Sequence, residues 1–424
     1  EEINHDLQLT YRYSWQFSDE FGFVKKSELI NLADEKVSLE VLDGLQNVLP
    51  YGINSGLQNE RSNLVSAYKR NELEPESGLG IFLLSAIIVD KAEPSEAMKA
   101  TTVFSTGLSC KHILLSSNQV EHFRKAQPLS TEHDVKGVDG SYLINASVDM
   151  APSESKFWFF GAELNQKHSD ISRLKKQILN KDESIGDVII ADVKRGITEL
   201  KAMVAKADGL QQTQDALGIG RHFSNVLFNI MRGGIFEDEY FIDMVDLKSY
   251  AEQVNRLSAL EYADFFSKFE STAVLNDLLE KAKDTCNKDL IRLCYEYMPL
   301  SFSRRHGDPS RPWNKFSIEL TKEGLPNRNY EGNWRDIFQN WEALALSFPE
   351  YIESMITKFL NASTIDGYNP YRIMRSGIDW EIIEPEDPWS FIGYWGDHQI
   401  IYLLKLLEIS RAHHPEAITA MLTK

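Results

Sequence analysis

Residues 157–179 read FWFFGAELNQKHSDISRLKKQIL, and the hydrophobic period changes inside this stretch. Before it, apolar residues alternate with polar ones; after it, they recur every three or four residues with Lys and Glu between. Period two marks strands with one buried face and the longer period marks amphipathic helices. Upstream, Leu7, Leu9, Tyr11, Tyr13, Trp15 and Phe17 alternate over eleven positions, and Val37, Leu39 and Val41 alternate again. Further strand candidates are 64–68, 81–89, 101–108, 113–116, 142–148 and 157–160, separated by Gly, Pro, Asn and Asp turns. Many short strands without interleaved helices predict an antiparallel β-sandwich. Downstream, 171–179 and 188–207 read as linker helices, followed by helices at 222–231, 247–262, 274–282, 288–297, 336–348, 349–362, 397–412 and 415–422.

The expected plan is therefore a β + α multidomain chain: a β-sandwich over 1–165, a helical linker over 166–219, and an all-α domain over 220–424. Helix pairs recur in the last part. A toroid of six helical hairpins needs more residues than follow position ~220, so an incomplete (α/α)-toroid is expected.

Composition bounds the function. The chain has 424 residues, of which 42% are hydrophobic, enough for large buried cores and too many for a disordered protein. The longest apolar run, near 81–89, falls well short of the ~20 residues that cross a bilayer. A net charge of −18 repels phosphate backbones and anionic lipid, so neither nucleic acid nor membrane is an expected partner. The three cysteines, Cys110, Cys286 and Cys294, form no CxxC pair, which favours a reducing, cytoplasmic setting without disulfides or structural zinc. The chain opens on Glu1-Glu2 rather than Met, so a targeting segment could precede it. Neither phosphate-loop glycine signature is present, and there is no H-E-x-x-H or G-x-S-x-G; no cofactor or metal is expected.

Chemistry concentrates between 301 and 399. Six of eight tryptophans fall there: Trp313, Trp334, Trp341, Trp380, Trp389 and Trp395. Interleaved are Arg304, Arg305, His306, Arg335, Asp336, Gln339, Asn340, Asp366, Asn369, Arg372, Glu381, Asp397 and His398. Aromatic faces stack on the C–H faces of sugar rings, while Asp, Asn, Gln and Arg grip hydroxyls, so this loop-rich stretch reads as a saccharide site. The alternative is a helical cap whose tryptophans only pack. Trp334-Arg335-Asp336 and Trp395-Gly396-Asp397 each precede an amphipathic run, with one helix between them. Helices of alternating direction would put Asp336 and Asp397 at one end, both at helix starts that favour carboxylates. They are read as catalytic acids dividing acid and base roles, or as plain first-turn acids. Arg304, Arg305 and His306 lie in a Gly/Pro loop that could hold phosphate, or serve as a salt-bridge hub. Cys286 and Cys294 read as core residues.

The segment Asn333–Asn340, N-W-R-D-I-F-Q-N, resembles the G-[FY]-R-D-x-x-Q-D motif of the cellobiose and chitobiose phosphorylases. The resemblance implies a β-sandwich, a helical linker and an (α/α)6 toroid, and inverting cleavage of an oligosaccharide with inorganic phosphate as co-substrate. It makes Arg335 a sugar ligand; the family's final aspartate is Asn340 here. Trp395-Gly396-Asp397-His398 resembles the family's next helix start, where Asp397 lines the site. The expected function is a glycoside phosphorylase or hydrolase acting on a neutral oligosaccharide, the alternative a non-catalytic carbohydrate-binding or scaffold protein on the same fold.

Overall fold

A computed structural model describes residues 1–88, 96–301, 303–304, 316–317, 321, 327–380, 385–386, 394–395 and 399–422. The chain divides into two compact units, Glu1–Glu199 and Leu200–Lys424. Among the described residues no helix is long and apolar enough to cross a membrane.

The first unit is antiparallel β. Its strands are β1 (Glu2–Asn4), β2 (Leu9–Ser18), β3 (Gly22–Asn31), β4 (Val37–Val48), β5 (Lys69–Glu74), β6 (Leu79–Leu84), β7 (Ala100–Thr106), β8 (His112–Leu114), β9 (Asp134–Lys136), β10 (Gly140–Met150) and β11 (Ser155–Gln166). Eight form one sheet in the order β1-β2-β3-β11-β7-β6-β5-β9, and β4-β10-β8 form a second. Leu29, Phe82, Val103, Trp158 and Phe160 of the first share a core with Leu45, Tyr142, Ile144 and Val148 of the second. The other face of the large sheet carries Val24, Leu79, Phe104 and Phe159, joined by Phe21 from the turn between β2 and β3. Leu174 of α4 (His168–Leu179) and Ile185, Ile189 and Val193 of α5 (Ile185–Lys206) cover that face. The unit's remaining helices are α1 (Ser55–Glu60), α2 (Ser62–Tyr68) and α3 (Val120–Arg124).

Two expectations are corrected. Residues 64–68 lie in helix α2, not a strand. A five-residue apolar run carries no period of its own, so the first turn from Ser62 decides it. In β2 the alternation holds, yet Tyr13, Trp15 and Phe17 are exposed. A three-stranded sheet cannot cover the whole face of an eight-stranded one.

Asp43 of β4 is a half-buried polar hub between the sheets. Its carboxylate accepts from Lys25 Nζ (2.6 Å), Ser27 Oγ (2.7 Å), Trp158 Nε1 (2.8 Å), Tyr11 OH (3.3 Å) and the Gly44 N–H (2.8 Å). At the end of β5, Glu74 accepts from Ser77 Oγ (2.6 Å) and from Lys175 Nζ of α4 (2.9 Å). Burial pushes the Glu74 carboxyl up, but those bonds outweigh it and hold the pKa to about 2. A folded pKa below the unfolded ~4.3 contributes stability above that pH and loses it as pH falls towards 2. Glu74→Gln is expected to flatten the acid side of the unit's stability curve, read as urea midpoints over a pH series. Parallel curves for the two proteins would contradict this.

The second unit is mainly helical: α6 (Ala216–Gly233), α7 (Met244–Val254), α8 (Arg256–Glu261), α9 (Ala263–Phe266), α10 (Leu275–Asp284), α11 (Lys288–Glu296), α12 (Trp334–Ser347), α13 (Ile352–Ala362), α14 (Gln399–His413) and α15 (Ala417–Leu422). Short strands connect them: β12 (Ile235–Phe236), β13 (Phe241–Asp243), β14 (Thr272–Val274), β15 (Leu300–Ser301), β16 (Ser303–Arg304), β17 (Phe316–Ser317), β18 (Glu331–Asn333), β19 (Tyr368–Asn369), β20 (Arg372–Met374), β21 (Gly377–Asp379) and β22 (Tyr394–Trp395). One core joins α6, α7, α10, α11, α12, α13 and α14. Helix direction alternates through the last three of these. Phe359 late in α13 packs on Trp334 early in α12, and Glu353 early in α13 accepts from Ser410 late in α14 (2.6 Å). Cys294 is buried, with its thiol pushed up to about 12 by burial. Cys286, expected in the core, is exposed just past α10.

Candidate functional site

The start of α12 is fixed from three sides. β18 pairs with β20, placing Asn333 opposite Arg372, and the Trp334 N–H donates to Tyr371 O (3.1 Å). The Trp334 indole, 1% exposed, packs against Phe338 and Phe359 at ring separations of 5.0 and 4.7 Å. Trp341 is also fully buried and donates through Nε1 to Gly233 O (3.0 Å). A Cβ on Gly233 would come within 2.8 Å of Asn340 Cβ, so α6 and α12 meet only because that position is glycine. The reading of Trp334 and Trp341 as walls of a site is thereby corrected. Both belong to the core, because their neighbours at three- and four-residue spacing and on α13 are apolar too.

Asp336 lies in the first turn of α12, where free N–H groups favour a carboxylate. Arg232, in the last turn of α6, approaches its Oδ1 to 3.5 Å, and both side chains are about nine-tenths buried. Asn340, one turn on, donates from Nδ2 to Asp336 O (2.5 Å) and is buried, while Gln339 is exposed. Arg335 is in the helix, with its side chain outside the described residues.

Arg372 acts as a clamp. Its Nε donates to Asp379 Oδ2 (3.0 Å), its Nη2 bonds the same oxygen, and Nη1 lies 3.6 Å from Glu331. The Asp379 bonds raise its guanidinium pKa, and the three strands β18, β20 and β21 are tied by it. Asn369 is buried and accepts from Ser363 Oγ (3.0 Å); Asp366 and Trp380 are exposed. β19 pairs with β22, which sets Tyr368 opposite Trp395. Arg304 and Trp395 lie in strands, with their side chains outside the described residues. Trp313, Arg305, His306, Glu381, Asp397 and His398 lie outside the described residues altogether. α14 starts at Gln399, two positions after Asp397.

The structure thus brings Trp334, Asp336 and Asn340 together at α12, with Arg372 across the adjoining strand. Sequence reading missed Arg232, Glu331 and Asp379, the partners that set the charge balance there. Arg232 ends an amphipathic helix 104 positions before Asp336, and no local pattern marks such a pairing. Among the described residues no group of three or more His, Cys, Asp or Glu side chains is placed to hold a metal.

Residues 236–299 match a family model, glycoside hydrolase family 149 insertion domain 1. That segment holds α7 to α11 with β13 and β14, and so is similar to a domain of a carbohydrate-active enzyme family. No curated protein matches the chain.

Proposed function

We propose that this protein cleaves a glycosidic bond of a neutral oligosaccharide, with the sugar held where α12 begins. The observation that carries this reading is the match of 236–299 to an insertion domain of a glycoside hydrolase family. The alternating directions of α12, α13 and α14 support hairpins of an (α/α)-toroid around the site. Asp336, poised by Arg232 and the helix start, accepts from sugar hydroxyls; Arg335, Gln339, Asp366, Trp380, Glu381, Trp395 and His398 complete the grip. In the phosphorolytic version Arg304, Arg305 and His306 hold inorganic phosphate. A phosphate oxygen attacks the anomeric carbon as the bond to the glycosidic oxygen breaks. Asp397 protonates that oxygen, releasing a sugar 1-phosphate and a shortened oligosaccharide.

The test is incubation of the full chain with neutral oligosaccharides, with and without inorganic phosphate, and chromatography of the products. Sugar phosphate formed only with phosphate supports phosphorolysis; free sugar alone supports hydrolysis. Asp397→Asn is expected to lower turnover by about 100- to 10,000-fold, the worth of a positioned acid. An unchanged rate would remove Asp397 from the mechanism.

The second reading, carbohydrate binding without turnover, is favoured by Asn340. It stands where the resembling motif has aspartate, and its amide is engaged with the helix's own carbonyl. Calorimetry showing sugar binding with no product would select it.

A further inference from the structure

A cleft of about 560 Å³ opens in the helical unit, built from residues other than those at α12. β13 and β14 form one wall, with Phe241 opposite Val274 and Asp243 opposite Thr272. Arg328, distant in sequence, closes it: Nη1 donates to Asp243 Oδ2 (2.9 Å) and Nη2 bonds Asp238. The backbone of Arg328 is itself held, its carbonyl accepting from Arg375 Nη1 (2.9 Å) while Arg375 Nη2 bonds Asp246 (2.7 Å). Asp243 also caps α7 through the Val245 and Asp246 N–H groups. On this rigid frame the Phe241 ring is left 58% exposed, while its neighbour Ile242 is fully buried.

We propose that this cleft is a second saccharide-binding subsite, taking a neutral pyranose unit against Phe241, with Asp238 and Asp243 accepting from its hydroxyls and Arg328 donating to its oxygens. Ionised carboxylates only accept, so they select ligands rich in donors. Glu237, Asp238, Glu239 and Asp243 outnumber Lys206 and Arg328 along the lining, so anions are repelled. A flat apolar ring beside a fixed polar fork suits a ligand with a C–H face and a hydroxyl edge. The volume lies within the range of small-molecule sites. The proposal rests on the carbohydrate reading for its ligand class, but not on any residue of α12.

Calorimetric titration of the full chain with neutral gluco-, galacto- and manno-oligosaccharides tests it, using Phe241→Ala, Phe241→Trp and Asp238→Asn. Phe241→Ala is expected to weaken one class of site about tenfold, Phe241→Trp to keep it, and Asp238→Asn to weaken it. The turnover number at saturating substrate should stay unchanged in all three. The ring is exposed, so unfolding midpoints should match the parent and exclude misfolding as the cause. Identical isotherms for the parent and Phe241→Ala would overturn the cleft and leave the carbohydrate reading standing. A parent that binds none of these sugars would overturn both. Binding confined to amino-sugar oligomers, lost steeply with salt, would overturn the neutral-ligand assignment.

Discussion

Arg232→Met will lower the stability of the helical unit by about 3–5 kcal/mol. Methionine keeps most of the buried stem and removes the guanidinium. Asp336 then keeps its charge in a place about nine-tenths shielded from water, with the Arg232 guanidinium, 3.5 Å from its Oδ1, gone. Breaking one side of a buried pair is far worse than removing both, since apolar groups of similar size do not need the desolvation repaid. The double variant Arg232→Met/Asp336→Leu should therefore recover most of the loss. Urea unfolding followed by helical circular dichroism measures both. A single-variant loss under about 1 kcal/mol would show that the pair behaves like a surface contact.

Asp43→Ala should be comparably severe in the β unit, at about 3–5 kcal/mol. Five donors converge on that carboxylate, among them Lys25, whose side chain is only 10% exposed. Removal leaves an ammonium, two hydroxyls and an indole N–H between two sheets with no acceptor of equal charge. Asp149 supplies the control, because it sits in the neighbouring strand with its side chain mostly in water. Asp149→Ala should change stability by no more than about 0.5 kcal/mol. Equal effects from the two substitutions would refute the view of Asp43 as an interior hub.

Local pattern carried much of the architecture. The alternation in β2 and β4 and the change of period before α4 come from backbone geometry acting over a few residues, and the structure follows them. What escaped was decided at long range. Asp43 reads as one more polar position in VSLEVLD, because its side-chain partners lie 16 to 115 positions away. Trp334 and Trp341 read as site aromatics because composition counts rings without showing which way each faces. The Phe241 cleft draws on positions from Lys206 to Arg328, and no window short enough to show a period spans them. At the candidate site, Asp336 was legible from its place at a helix start, whereas Arg232 was not.

The cysteines offer a spectroscopic opportunity. Cys110 in the first unit and Cys286 in the second are exposed, and buried Cys294 has a thiol too basic to compete at neutral pH. Desolvation also raises the Cys110 thiol, so a maleimide attaches there slowly and its conditions can be chosen separately. A donor dye on one and an acceptor on the other would follow the distance between sheet and helices as sugar is added, in the unmutated chain.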